Sequence, residues 1–348
     1  MAVKTQQAAS NNTTRLLGSR SLLLPGLIFF VGLLVICLMW SITLGAANID
    51  TKTVFDALVH YDNTEFNHLI IQTVRLPRVL AGALVGAGLA VAGAIMQGLT
   101  RNPLADSGIL GINAGAAFGV VLTVFLIGGG SLSTYAVAAI IGAALAAITV
   151  YGLGSMGRGG ATPLRLTLAG VILTAFVSSL TTMILIQDQE TLDQIRFWTA
   201  GSLAGRDMAL LKQIAPIVLI GIFGALAISR QITTISLGED VAKGLGQNTL
   251  IVKIIAAVMV VLLAGGSVAL AGPIGFVGLV IPHVARFVAG VDYRWIIPYS
   301  ALMGAILVTV ADVAARIVLR PQELPVGIMM ALIGAPFFIY LARRKVKN

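Results

Sequence analysis

The chain has 348 residues, 57% of them hydrophobic and only 11% charged, with a formal net charge of +9 and a mean hydropathy of +0.96. An ordinary soluble domain carries about 25% charged residues, so a water-soluble enzyme or binding domain is excluded: lipid is the environment that accepts this much apolar surface. Nucleic-acid binding does not fit either, because the basic residues are scattered between apolar segments and form no single patch.

A spanning helix needs about 20 mostly apolar residues, and ten segments approach that length. A polar tail over residues 1–20 precedes the first, 22–43. That run is too long for the roughly 7–15-residue core of a signal peptide, and no small-residue cleavage site clearly follows it, so it is a retained span. It holds Cys37, the only cysteine, which leaves no intrachain disulfide framework. Residues 45–76 are expected to form short interfacial helices. The second span is 79–99, stopped by Asn102-Pro103, since proline disfavours helical geometry at the residue before it. Gly82 and Gly86 give this span a small-residue face for close helix contact. Spans follow at 109–127, 133–153, 166–186 and 210–228, with a second interfacial segment at 187–207. The loop 230–249 has a compact helical pattern. Spans at 250–270, 273–289, 296–313 and 326–341 complete the set. The eighth, 273–289, is short and carries Pro282, which fits a broken or re-entrant segment sheltered by protein.

The fold class that results is all-α: a polytopic transmembrane helical bundle of about ten spans over residues 21–342, with a C-terminal tail at 343–348. An even number of spans puts both termini on one side. That side holds fifteen of the 23 Lys and Arg, among them Lys4, Arg15, Arg101, Lys243 and Arg343, but only four of the 14 acidic residues. By the positive-inside rule it is the cytoplasmic side. Ala92-Gly93-Ala94-Ile95 with Pro103 parallels Ala271-Gly272-Pro273-Ile274 with Pro282, on spans of opposite direction as an inverted repeat requires. Chance accounts for it equally well in a chain with 39 glycines.

Catalysis finds little support. Gly-Lys-Ser/Thr is absent, and His60, His68 and His283 lack His-Glu-x-x-His spacing, so neither a nucleotide loop nor a metal set is legible. Ion-coupled carriers hold an ionisable residue near mid-membrane, where it is costly unless functional. Here every Lys, Arg, Asp and Glu falls in a loop or near a span end. The deepest, Asp312, stands four residues before Arg316 and pairs with it on one helical face. That pattern favours energy supplied by a partner over an ion-coupled secondary transporter or channel of the same topology.

Several motifs in order carry a resemblance. They are Arg75-Leu76-Pro77-Arg78 with Gly82, Gly86, Gly93 and Gln97; Asn102-Pro103-Leu104-Ala105; and Leu110-Gly111. Later come the stretch from Gly238 to Gly246, the stretch from Gly275 to His283, Glu323-Leu324-Pro325-Val326-Gly327, and Gly334-Ala335-Pro336. From Arg75 to the C-terminus the chain resembles the FecCD-type permease family of bacterial ABC importers for iron-siderophore, haem and cobalamin. Ser107 stands where the family commonly has proline, which bears on the rigidity of that turn.

The resemblance implies a permease that dimerises with itself or a paralogue, two ATPase subunits that use ATP and Mg, and an extracytoplasmic solute-binding protein. No cofactor is bound by this chain. It implies an iron(III)-siderophore or related chelate as cargo, with cobalamin or haem as the alternative within the family. Arg75, Arg78 and Arg316 would grip carboxylates of the binding protein, against a plain role in snorkelling to headgroups; Arg320 could join them. Gly238, Glu239, Asp240, Ala242, Lys243, Leu245 and Gly246 would contact the ATPase. Thr167, Val171, Thr174, Ser178 and Thr181 recur every three or four residues along one side of the fifth span. Helix packing explains that stripe as well as a water-lined wall does, and the resemblance favours the wall of the translocation pathway. The loop 158–165, with Gly159, Gly160 and Thr162, would close its cytoplasmic end.

Overall fold

In lipid each backbone N–H and C=O has to be satisfied within its own segment, so long apolar runs fold as helices. The computed structural model describes residues 20–45, 49–156, 162–319 and 321–346, and among them every long regular element is a helix. Helix α1 is Leu23–Thr43, and α2 (Thr51–Val59) follows. Then α3 (Phe66–Ile70) runs through a π turn at Ile71–Arg75 into α4 (Leu76–Thr100), making one rod of 35 residues. After a 3-10 turn at Ser107–Leu110 come α5 (Ile112–Ile127), α6 (Leu132–Ser155), α7 (Pro163–Gln187) and α8 (Gln189–Thr199). Next are α9 (Met208–Ala227), α10 (Ser229–Ser236) and α11 (Glu239–Gly244). A second rod, α12 (Thr249–Val260), passes through a π turn at Val261–Gly265 into α13 (Gly266–Ala271). The chain ends with α14 (Val277–Ala289), α15 (Tyr293–Ile317) and α16 (Val326–Val346).

Each of the ten apolar segments contains a helix. Seven are long and apolar enough to cross a membrane; α5, α14 and the apolar part of α16, Val326–Ile339, are shorter. The protein is therefore an all-α, multi-pass membrane bundle with seven clear spans. The interfacial segments and the loop 230–249 are helical as well, in α2, α3, α8, α10 and α11.

The core forms around α4, whose apolar stretch is 83% buried, whereas that of α1 is 6% and of α7 17% buried. It packs most extensively on α15, then on α14, α13 and α9. Glycine makes this possible. A Cβ on Gly86 would lie 2.1 Å from the carbonyl oxygen of Gly304, and one on Gly304 2.3 Å from that of Gly86, so the two backbones touch. Gly93 meets Gly278 of α14 in the same way.

The eighth segment is interrupted before its proline, not at it. Gly272 has φ +76° and Phe276 φ +69°, so the chain leaves α13 in a non-helical stretch and restarts at Val277. Pro282 lies inside α14, which at about 20 Å is shorter than the roughly 30 Å hydrocarbon layer. This also separates the two repeat-like stretches. Residues 92–95 lie within α4, whereas 271–274 straddle the exit from α13, so they are not structural counterparts.

Candidate functional site

Charged side chains gather at the two ends of the bundle. At the first end, α1 finishes and α4 begins. Positions 75 and 78 share one face of the first rod, and 312 and 316 share one face of α15. The Gly86–Gly304 crossing brings those faces together. Arg78 donates from Nε to both Asp312 oxygens at 3.2 Å and from Nη2 to Oδ1 at 2.9 Å, while its Nη1 reaches Glu323 Oε2 at 2.7 Å. Arg316 Nε lies 3.2 Å from Asp312 Oδ2.

The other contacts of this cluster close α1. The last carbonyls of a helix have no partner within it and sit at the negative end of its dipole. Arg75 Nη1 donates to Ile42 O at 2.7 Å and Thr43 O at 2.9 Å. Arg316 Nη1 donates to Ser41 O and Leu44 O, at 3.1 and 2.6 Å, and its Nη2 to Ser41 Oγ at 2.6 Å. Arg75 and Arg316 are each 7% exposed and Asp312 2%. Snorkelling thus does not describe these side chains, which turn inward and tie α1, α4 and α15 together. Arg78 and Arg316 share Asp312, and Arg78 alone reaches Glu323; with Arg75 on carbonyls, three guanidiniums among the described residues stand beside two carboxylates, an excess of positive charge that a further anion would offset.

At the opposite end, α10 and α11 lie across the ends of α4, α12 and α15. Thr233 Oγ1 accepts from Tyr293 N at 3.0 Å, which holds α10 to the start of α15. Helix α11 has two faces. Ala242 is buried, and Glu239 accepts from Lys253 Nζ of α12 at 2.7 Å and from Thr249 Oγ1 at 3.3 Å. Lys243 Nζ stands 3.4 Å from the same carboxylate. The Lys253 hydrogen bond, and then the charges of Lys253 and Lys243, hold Glu239 below the usual carboxylate range against the opposing pull of burial. Leu237, Asp240, Val241, Lys243 and Leu245 face out, with Leu245 71% exposed. Gly238 (φ +135°) and Gly246 (φ +79°) turn the chain at either edge. A cavity beside Glu239 and Lys253 is also lined by Tyr151, Pro163 and Leu166, so α11 adjoins the start of α7.

The stripe on α7 is not gathered into one pocket. Thr167 and Thr181 donate to the carbonyls of Pro163 and Val177, each at 2.9 Å, and so satisfy themselves within the helix. Val171 and Ser178 are exposed, and Thr174 is half-buried beside Gly111. The face that packs inward is Ala169, Gly170 and Val177. Thr162 caps α7 by accepting from Arg165 N at 3.4 Å. Gly159, Gly160 and Arg320 lie outside the described residues.

Three contributors escaped sequence reasoning. Lys253 and Ser41 sit inside apolar runs, where nothing marks their partners. Glu323 enters the sequence reading only as part of a motif, with no role, yet it covers Arg78. Among the described residues no group of three His, Cys, Asp or Glu could hold a metal ion.

The model of the FecCD transport family matches residues 33–344. The chain is 48% identical over 321 residues, 92% of its length and 83% of the relative's, to the iron(3+)-hydroxamate import system permease protein FhuB of Bacillus subtilis (strain 168). It is 41% identical over 330 residues to the ferric enterobactin transport system permease protein FepD of Escherichia coli (strain K12), covering 95% of this chain and 97% of that one. A solved structure, described as an inward-facing conformation of a metal-chelate type ABC transporter, superposes with a TM-score of 0.81 at 31% identity. It covers 92% of this chain and 99% of its own.

Proposed function

Because this chain belongs to the FecCD transport family, we propose that it is the membrane-spanning permease subunit of an ATP-binding-cassette importer. Its cargo is an iron(III)-siderophore or related metal chelate, moved into the cytoplasm across a bacterial plasma membrane. The observation that carries this is near full-length similarity, at 41–48% identity, to permeases named for iron-hydroxamate and ferric enterobactin uptake. Hydrolysis of ATP with Mg belongs to partner ATPase subunits, and this chain is not itself an enzyme.

The finer picture supports itself on charge and exposure. All ten apolar segments cross or enter the membrane, and both termini, with tails 1–20 and 343–348 around the 21–342 permease domain, are cytoplasmic. Two permeases, identical or paralogous, work with two ATPase subunits. The end held by Arg75, Arg78 and Arg316 is the outer one and docks an acidic face of the solute-binding protein. Loop 230–249 is the coupling element: Asp240, Val241, Lys243 and Leu245 meet the ATPase, while Gly238, Glu239, Ala242 and Gly246 set its shape. Helix α7 contributes Val171, Thr174 and Ser178 to the passage, with Thr167 and Thr181 along the same side, and Gly159, Gly160 and Thr162 form its cytoplasmic gate.

Uptake of a radiolabelled ferric hydroxamate, measured with an uncoupler present and ATP held constant, tests this. Import that persists supports the ATP-driven importer. Import that collapses with the proton gradient returns the chain to the ion-coupled class.

A further inference from the structure

A guanidinium is a planar fork that two carboxylates can occupy at once, one on each edge. Arg78 is used in that way. Its Nε/Nη2 edge lies on Asp312, whose side chain is 3% exposed, and its Nη1 lies on Glu323, whose side chain is 38% exposed. The two contacts differ in kind. Asp312 is buried in α15, engages Arg78 and Arg316 together, and joins two core helices. Glu323 sits on the surface in the turn between α15 and α16 and makes one contact with the fork.

The backbone beside Glu323 is secured independently of that contact. Gln322 N donates to Leu319 O at 2.8 Å, Leu324 N to Ala315 O at 3.1 Å, and Gly327 N to Gly201 O at 2.9 Å. Rotation of the Glu323 side chain alone therefore uncovers Arg78 Nη1 and leaves the turn in place. An incoming carboxylate would find a guanidinium already oriented by Asp312, in a cluster where positive charge is in excess.

We propose that Glu323 is a built-in competitor for docking: in the free permease its carboxylate holds the place on Arg78 that an acidic side chain of the solute-binding protein takes in the complex. The inference rests on the docking role proposed above. Docking is then an exchange of one carboxylate for another. The internal carboxylate keeps Arg78 satisfied between encounters and shortens the life of each complex, so the binding protein leaves once its cargo is delivered.

The experiment uses the permease in lipid nanodiscs and, as probe, the iron-chelate-binding protein of its own organism that co-purifies with it. The dissociation constant is measured at low and high salt for the natural chain, Glu323→Gln, Glu323→Asp and Arg78→Gln. Exposed ion pairs are worth little, so Glu323→Gln is expected to tighten docking about two- to fivefold. Glu323→Asp keeps the charge but loses the reach, and should tighten docking in the same direction by less. Thermal unfolding of both Glu323 variants checks that the fold is kept, and Glu323→Asp carries the test if the glutamine variant does not insert. If Arg78→Gln weakens docking while both Glu323 variants leave it unchanged or weaker, Glu323 is only a structural pin and the competitor is refuted. If Arg78→Gln also has no effect, the docking role itself fails, and the competitor with it.

Discussion

Replacing Gly86 by alanine adds one methyl group where α4 and α15 touch backbone to backbone. The new Cβ would lie 2.1 Å from Gly304 O, 2.7 Å from Gly304 C and 3.0 Å from Ala305 N, where ordinary contact begins at 3.4 Å. The helices have to part by about 1.3 Å to restore it. All three atoms are backbone, so no side chain can swing aside and the shift falls on α4 and α15 as rigid bodies. Overpacking of this kind costs about 1–3 kcal/mol, and the absence of a yielding side chain puts Gly86→Ala at the upper end. The same displacement acts on the Arg78–Asp312 pair, about 12 Å from the crossing along each helix. Thermal unfolding of the purified permease in detergent should show a loss of several degrees. Gly32→Ala in α1 is the control, because no atom lies within 4 Å of its added Cβ. There the better helix propensity of alanine is worth about 0.5–1 kcal/mol in its favour. Equal stability of the two variants would refute the view that backbone contact at this crossing holds the core.

Two further outcomes are expected. With Cys37 replaced, single cysteines at Thr174 and Ser178 should react with a water-soluble thiol reagent at rates that change with ATP, while one at Val177 on the buried face stays protected; equal reaction at all three in every nucleotide state makes α7 a packing helix. For Glu239, whose carboxylate is depressed by Lys253 and Lys243, the attachment of α11 to α12 is fully present above the ordinary glutamate pKa of about 4.3 and is lost as pH falls through the depressed value. Amide exchange in residues 239–247, corrected for its intrinsic pH dependence, should therefore be the same at pH 7 and pH 5, and Glu239→Gln should raise it at pH 7; a marked change between pH 7 and 5 in the natural chain would count against the pairing.

The ten apolar segments were legible because lipid leaves the backbone one way to satisfy itself. Their ends were not. Hydropathy places the second span at residue 79, but the rod begins at Phe66, since Gln72, Thr73 and Arg75 continue the helix through the π turn. Composition reports what a segment dissolves in, not whether its hydrogen bonds run on. The eighth segment fails in the opposite sense: residues 273–276 are apolar enough for a span, yet Phe276 takes a left-handed conformation. At the arginine end only the Asp312–Arg316 contact was readable, because four residues along a helix is a fixed geometry. Arg78 meets a carboxylate 234 positions away, and Arg75 meets carbonyls more than thirty positions back. Helical periodicity says which residues share a face and nothing about which helix that face will meet. In α11 the compact helical pattern was legible, but a single turn and a half cannot say which of Glu239 and Asp240 turns inward.

Helix α1 is held chiefly at its two ends. Near its start, Leu23 O accepts from Tyr299 Oη at 2.7 Å and the Phe30 ring meets that tyrosine edge-on; at its finish Arg75 and Arg316 take the last carbonyls. Two of those three anchors stand more than 270 positions along the chain from the atoms they bind. A helix made early is thus fastened late. During synthesis, which proceeds from the N-terminus, the finish of α1 has Arg75 and the apolar cluster of Ile42, Ile49, Val54, Ala57, Ile71 and Val79 near enough to hold it, whereas its start waits for α15. Truncation anywhere ahead of Tyr299 would leave α1 complete but held at its finish alone. That is a state a membrane protease can recognise, and one that makes the integrity of the C-terminal third a condition for keeping the N-terminal one.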